Sequence, residues 1–171
     1  MANYGYVNTM RCMGMDVDAL LATGINTTTD IQNGFFVSLG DYQNTSGAVD
    51  EFVYSVTLAA ASTMDNYVVR TPEVGTDIVT QMMADPRLFI NKAGQPMQLV
   101  RMMPNVDIIE VTVETLDQAA AKGDFYTLVD GKLTKAQAAT DSATCFECLG
   151  THTIEFGTEV ATTYLMKCIA N

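Results

Sequence analysis

The residues best equipped for chemistry stand near the C-terminus: Cys145-Phe146-Glu147-Cys148, followed by His152 and Cys168. Two cysteines at this spacing can hold a zinc ion, and His152, the chain's only histidine, is a candidate further ligand. A zinc knuckle needs a second ligand pair at similar spacing, and none follows. In a strand, residues three apart point to opposite faces. Three readings therefore stand side by side: a zinc site, a redox disulfide, and plain core or surface cysteine, since reduced Cys in a strand behaves as a small apolar residue. Cys12, the fourth cysteine, lies far upstream.

Nucleophilic catalysis needs a base beside a Ser or Cys, and only His152 is on offer. Its surroundings, Gly150-Thr151-His152-Thr153-Ile154, read as a turn entering a strand, where an exposed histidine is ordinary. No dinucleotide fingerprint, phosphate loop or EF-hand loop occurs. The acid pairs Asp16/Asp18 and Glu110/Glu114 share one face of a strand and read as a solvated face, because acid–base work by two carboxylates needs a cleft. No catalytic residue, cofactor or metal is assigned, and the chain is read as a non-enzyme.

The 171 residues suit one domain, or one domain plus an extended arm. Hydrophobic residues make up 48% and charged residues 17%, which argues against disorder and for a surface that faces other protein. Twenty Asp+Glu against nine Lys+Arg give a net charge of −11, which disfavours nucleic acid and anionic membrane as partners. No apolar run approaches the roughly 20 residues of a membrane helix. Met1 to Met10 lack a basic start followed by an apolar stretch, as expected of a protein kept in a cytoplasm until assembly or lysis.

Positioning falls to short β elements. Phe52, Tyr54, Val56 and Leu58 alternate with Val53, Ser55 and Thr57; Ile109, Val111 and Val113 with Glu110, Thr112 and Glu114; and Thr162, Tyr164, Met166 and Cys168 alternate near the end. Asn33-Gly34 and Asp130-Gly131 are tight-turn dipeptides. The expected fold is mainly β: a small barrel or sandwich with short helical turns. Pro72, Pro86, Pro96 and Pro104 mark the middle third as an irregular connection with a helical turn near Asp77 to Ala84. A short helix is expected from Thr115, whose spacing to Gln118 is that of a capping box. Asn33 to Gly40 echoes Lys122 to Gly131, either as two equivalent β units or as chance likeness between hairpins. Met1 to about Thr29 lacks sustained periodicity and reads as an extended N-terminal arm, with a helical turn over Met15 to Ala22 and Gly24 as its stop. Residues 30–171 form the β-rich domain.

Methionine is over-used at accommodating contact surfaces. The chain has 11, including Met10, Met13 and Met15 in the arm and the pairs Met82-Met83 and Met102-Met103. Core filling is the plain alternative, although adjacent residues of a strand cannot both face one core. With Tyr4 and Tyr6, the three arm methionines are the candidate partner-binding residues.

Several segments, in order, resemble a family of small virion proteins of tailed phages that infect Gram-positive bacteria, head decoration or head-fibre-like accessory proteins. They are Asp30-Ile31-Gln32-Asn33-Gly34-Phe35-Phe36-Val37-Ser38-Leu39-Gly40, Val53-Tyr54, Thr71-Pro72-Glu73-Val74, Phe89-Ile90-Asn91-Lys92-Ala93-Gly94-Gln95, Asp107-Ile108-Ile109-Glu110-Val111-Thr112-Val113, Lys122-Gly123-Asp124-Phe125-Tyr126-Thr127-Leu128-Val129-Asp130-Gly131-Lys132-Leu133 and Thr163-Tyr164-Leu165-Met166-Lys167-Cys168-Ile169. The likeness covers about four fifths of the chain and consists of turns and strands. The Cys145/Cys148 pair and the Met-rich arm depart from the family pattern. The resemblance implies a β-rich capsid decoration protein on the virion exterior, without a cofactor, bound to the major capsid protein lattice. The arm would dock, and the domain would project, as a homo-oligomer; a domain cut free of Met1 to Thr29 should still fold. A tail-tube or neck component is the alternative role.

Overall fold

A computed structural model describes residues 3–45, 48–73, 85–157 and 159–171. The alternating runs become strands in two layers. One layer is a six-stranded sheet of Val7–Arg11 (β1), Ile108–Thr112 (β7), Glu159–Ala170 (β11), Cys145–Phe156 (β10), Phe125–Val129 (β8) and Lys132–Ala136 (β9), in that spatial order. The other is a closed barrel of Leu21–Ile25 (β2), Ala48–Leu58 (β4), Phe36–Thr45 (β3), Tyr67–Val69 (β5) and Pro96–Arg101 (β6), with β6 pairing back onto β2. Closure leaves the barrel no free edge. The expectation of a mainly β fold with a small barrel holds.

The barrel is filled by its own side chains: Ile31, Phe35, Val37, Val56, Val69, Met97 and Leu99 cluster inside. Gly24, expected to stop a helix, sits in β2 instead. A Cβ there would lie 2.6 Å from Val56 Cγ1 and 2.7 Å from Leu99 Cδ1, so the packed interior has room only for hydrogen.

A larger core joins the two layers. Phe36, Val68, Val100 and Met102 face out of the barrel toward Ile109, Val111, Tyr126, Leu128, Phe146, Tyr164 and Met166 on the inner face of the sheet. Phe36 and Phe146 meet with ring centroids 5.1 Å apart. The Asp130-Gly131 turn between β8 and β9 is pressed into this seam. Both residues have positive φ (49° and 76°), as a two-residue hairpin turn requires. Gly131 N–H donates to Ala59 O and its carbonyl accepts from Phe36 N–H. A Cβ on Gly131 would lie 2.8 Å from Phe36 O.

Several expectations are corrected. Residues 1–29 are not a separate arm: β1 pairs with β7, and β2 pairs with β4 and β6. The weak periodicity of this stretch reflects a strand, two 3₁₀ turns (Met13–Met15 and Asp18–Leu20) and a second strand in quick succession. The buried Asp107 carboxylate secures it, accepting N–H from Met13 and from Met103, each at 2.7 Å. The Pro-marked middle third supplies two barrel strands. Pro96 is tolerated because it is the first residue of β6. Thr115 ends a 3₁₀ turn over Val113–Thr115 and does not start a helix; its hydroxyl donates to Thr112 O. The echoing segments Asn33–Gly40 and Lys122–Gly131 do not pack into one barrel as a pair: the first enters β3 of the closed barrel, the second forms β8 of the six-stranded sheet. Asp77 to Ala84, with Met82-Met83, lies outside the described residues.

Deleting residues 1–29 removes one sheet strand and opens the barrel between β4 and β6. The truncated chain is expected to lose cooperative thermal unfolding and native strand content by circular dichroism. A cooperatively folded 30–171 fragment would restore the description of residues 1–29 as an arm.

Candidate functional site

The inner face of the six-stranded sheet is committed to the core, so its outer face is where function can sit. In β7, Ile109 and Val111 point inward, which turns Glu110 outward. Sequence reasoning placed Glu110 on a solvated face. The structure buries it to 11% side-chain exposure, between β1 and β11. A buried carboxylate requires partners, and Glu110 has three. His152 Nδ1 lies 2.7 Å from Oε1, Thr163 Oγ1 donates to the same oxygen at 2.5 Å, and Asn8 Nδ2 donates to Oε2 at 3.4 Å. An ionised carboxylate only accepts, so Nδ1 carries the proton and Nε2 faces away from Glu110.

His152 is 61% exposed and stands at one side of a cleft of about 490 Å³. Ile108, Leu165 and Met10 give the cleft its apolar lining, with Arg11 and Asn8 beside them. Met10 is 88% exposed. Its position follows from a register shift in β1, where Asn8 and Arg11 pair with Glu110 and Ile108, so three steps along β1 match two along β7. Met10 N–H donates to Asn8 Oδ1 within the bulge.

The other arm residues proposed for docking divide. Met13 is also exposed, whereas Met15 packs against the core. Tyr6 packs edge-on against Phe156, centroids 5.0 Å apart, and Tyr4 N–H donates to Arg87 O. Arg87 ties this corner together. It is buried, pairs with Asp85 and Glu159, and lies 4.7 Å over the Phe156 ring. Of the five, Met10 and Met13 are therefore free to meet a partner, and Tyr6 and Met15 are structural.

The cysteines and His152 are not brought together. Cys145, Cys148 and Cys168 are fully buried, as is Cys12, while His152 lies on the outer face with Glu110. Cys145 and Cys148, three apart, are both buried because β10 shifts register against β11 between Cys145 and Phe146. Among the described residues, no group of three or more His, Cys, Asp or Glu side chains is arranged to hold a metal.

A second exposed surface lies on the β3–β4 hairpin. Tyr54 packs against the barrel interior, and Tyr42 stacks on it with centroids 4.4 Å apart and ring planes at 28°. The Tyr54 hydroxyl donates to that of Tyr42 at 2.8 Å, and this hydrogen bond is the leading cause of the upward shift of the Tyr54 phenol. Phe52 meets Tyr42 edge-on at 6.2 Å and is 76% exposed. Its φ is +56°, a left-handed conformation that costs a non-glycine residue about 1–2 kcal/mol. Alternation placed Phe52 with Tyr54 and Val56; the register shifts flanking Tyr42 break that alternation, and nothing in the residue pattern announces the break.

No family model matches the chain, and neither a curated protein nor a solved structure matches it.

Two outcomes are expected. Burial pushes the Cys12 and Cys168 thiols up from an ordinary 9.0 to about 12. Folding therefore holds them neutral, and their contribution to stability, complete below pH 9, is lost as pH rises from 9 through about 12. Thiol titration should be slow in the native protein and rapid in guanidinium, and unfolding free energy should fall over that alkaline range; fast native labelling would refute the burial. Secondly, Glu110→Ala removes the acceptor shared by His152, Thr163 and Asn8, leaving the Thr163 hydroxyl only the His152 carbonyl at 3.2 Å, and should destabilise by about 2 kcal/mol, against under about 1 kcal/mol for the more exposed His152→Ala. Urea denaturation of both variants decides, and equal losses would make the exposed imidazole the structural partner.

Proposed function

We propose that this chain is a non-catalytic docking module, and that its setting is the outside of a tailed-phage head, where it binds the major capsid protein lattice. The observation that carries the docking reading is Met10, 88% exposed on a bulge beside a cleft of about 490 Å³ whose apolar part is Ile108 and Leu165. Isolated exposed apolar residues are common, but one set on a rigid sheet beside a cavity can exchange side chains with a partner: Met10 enters the partner, and an apolar partner residue enters between Ile108 and Leu165. The His152–Glu110 pair supplies an oriented polar contact at the edge of the same patch. The capsid setting rests on the turn-and-strand likeness from Asp30 onward, and the acidic, charge-poor composition accords with it.

The work of such a protein is binding energy. A module that bridges neighbouring capsid subunits adds contacts that must break before the shell bursts. Met10 and Met13 take over the anchoring role first given to all five N-terminal residues.

Co-expression with the major capsid protein of the same phage, followed by sedimentation of the shells, tests this. The protein should pellet with shells, and Met10→Asp should weaken binding by about tenfold or more while leaving the fold intact. Absence from the shells, or closed rings and tubes formed by the protein alone, would overturn the head assignment in favour of a tail or neck role. Shell binding indifferent to Met10→Asp would remove the cleft from it.

A further inference from the structure

We propose that Phe52, Tyr42 and Tyr54 form a platform for a cationic side chain, and that its occupant is an arginine- or lysine-bearing segment of a partner protein. The platform is built outward in steps. Tyr54 is anchored on the barrel core, Tyr42 is stacked on Tyr54 and fixed by the hydroxyl–hydroxyl hydrogen bond, and Phe52 meets Tyr42 with the two ring planes at 80°. The first two rings are thereby held in place before any partner arrives, which lowers the ordering cost of binding.

Two features make the platform more than a stray exposed aromatic. The first is the backbone. Phe52 keeps a conformation at φ +56° that glycine or asparagine would adopt more readily, and the ring it carries is 76% exposed. Inside the fold phenylalanine gains there only its T-shaped contact with the half-exposed Tyr42, and strain kept at an exposed side chain points to use. The second is charge. Aromatic faces carry negative quadrupole density and attract cations. Asp41 precedes Tyr42 and is exposed, and the whole chain carries −11. A cation gains from both the rings and this field, whereas a phosphate backbone or an anionic lipid is repelled. A sugar ring also stacks on aromatic faces but takes nothing from the charge. Salt dependence therefore separates the two.

The test uses the full chain with acetylated, amidated hexa-arginine as probe. A neutral Gly-Ser hexapeptide and chitohexaose are the comparison arms, and binding is read by calorimetry. Hexa-arginine should bind, the two neutral probes should not, and added salt should weaken the affinity. Phe52→Leu keeps an apolar side chain but removes the π face, and should weaken hexa-arginine binding by about fivefold. Phe52→Gly should weaken it similarly while the melting temperature stays level or rises, because glycine relieves the left-handed backbone. Binding unchanged in both variants would show nonspecific attraction to an acidic surface and overturn the proposal. Chitohexaose binding that is lost in Phe52→Gly would overturn it in favour of a glycan platform, and absence of hexa-arginine binding would overturn it outright. None of these results depends on the Met10 cleft, so failure here leaves the docking reading standing.

Discussion

Phe36 and Phe146 meet across the seam between the barrel wall and the six-stranded sheet, and the rest of the fold depends on that seam staying closed. A five-stranded barrel of this size has little interior to bury. Gly24 shows how little, since even a methyl group there would collide with Val56 and Leu99. The outer wall of the barrel must therefore carry a second core, and the sheet covers it. The requirement reaches down to single backbone atoms. Gly131 fits between Phe36 and Ala59 because it lacks a Cβ and tolerates positive φ, and its two hydrogen bonds lock the β8–β9 hairpin against the barrel.

Once one face of the sheet is committed to the seam, period-two geometry fixes the other face. Glu110 is turned outward because Ile109 and Val111 must turn inward. It then lies between β1 and β11, where water reaches it poorly, and it recruits Asn8, Thr163 and His152. The orientation of His152 on β10 is thus a consequence of core packing at Ile109 and Val111, the neighbours of Glu110 in β7, two strands away in the sheet. A bulge separates the histidine from the cysteines. Four residues apart in β10, Cys148 and His152 would share a face by strict alternation, but the register shift between Cys148 and Gly150 leaves Cys148 in the seam with Met166 and Cys168 and turns His152 to the opposite side of the sheet.

Much of the architecture was legible in the residues. The alternation in Phe52–Leu58, in Ile109–Glu114 as far as Thr112, and in Thr162–Cys168 marks strands that exist, and Asp130-Gly131 marks a real hairpin turn; Val113 and Glu114 fall instead in the 3₁₀ turn after the strand. Less legible was anything that depends on long-range pairing. β1 and β2 are five residues each and find their partners from about 30 to more than 100 residues downstream, so local periodicity could not distinguish them from an arm. Pro96 misled because proline is excluded from strand interiors and not from their first residues. The site fared similarly. Met10 was singled out by its type, and its exposure agrees. Glu110 was misread because alternation gives the direction of a side chain but not what covers it.

Phe52 presents the opposite case, a place where local rules and the fold disagree. A strand with Tyr54 and Val56 facing the barrel would, by simple alternation, bury Phe52 as well and gain about 1.5–3 kcal/mol from it. Register shifts on both sides of Tyr42 divert the hairpin and present the ring to solvent, on a backbone that glycine would accept with less strain. Both the forgone burial and the strained backbone oppose stability, and both act on one exposed aromatic residue. The same diversion leaves Tyr42 and Tyr54 stacked and hydrogen-bonded beneath it, so the rings are ordered although the surface is open. Met10 is likewise released from its strand by a bulge. In each place a rigid β scaffold gives up regular pairing to expose an apolar side chain in a fixed position, which is the common physical character of its two outward-facing surfaces.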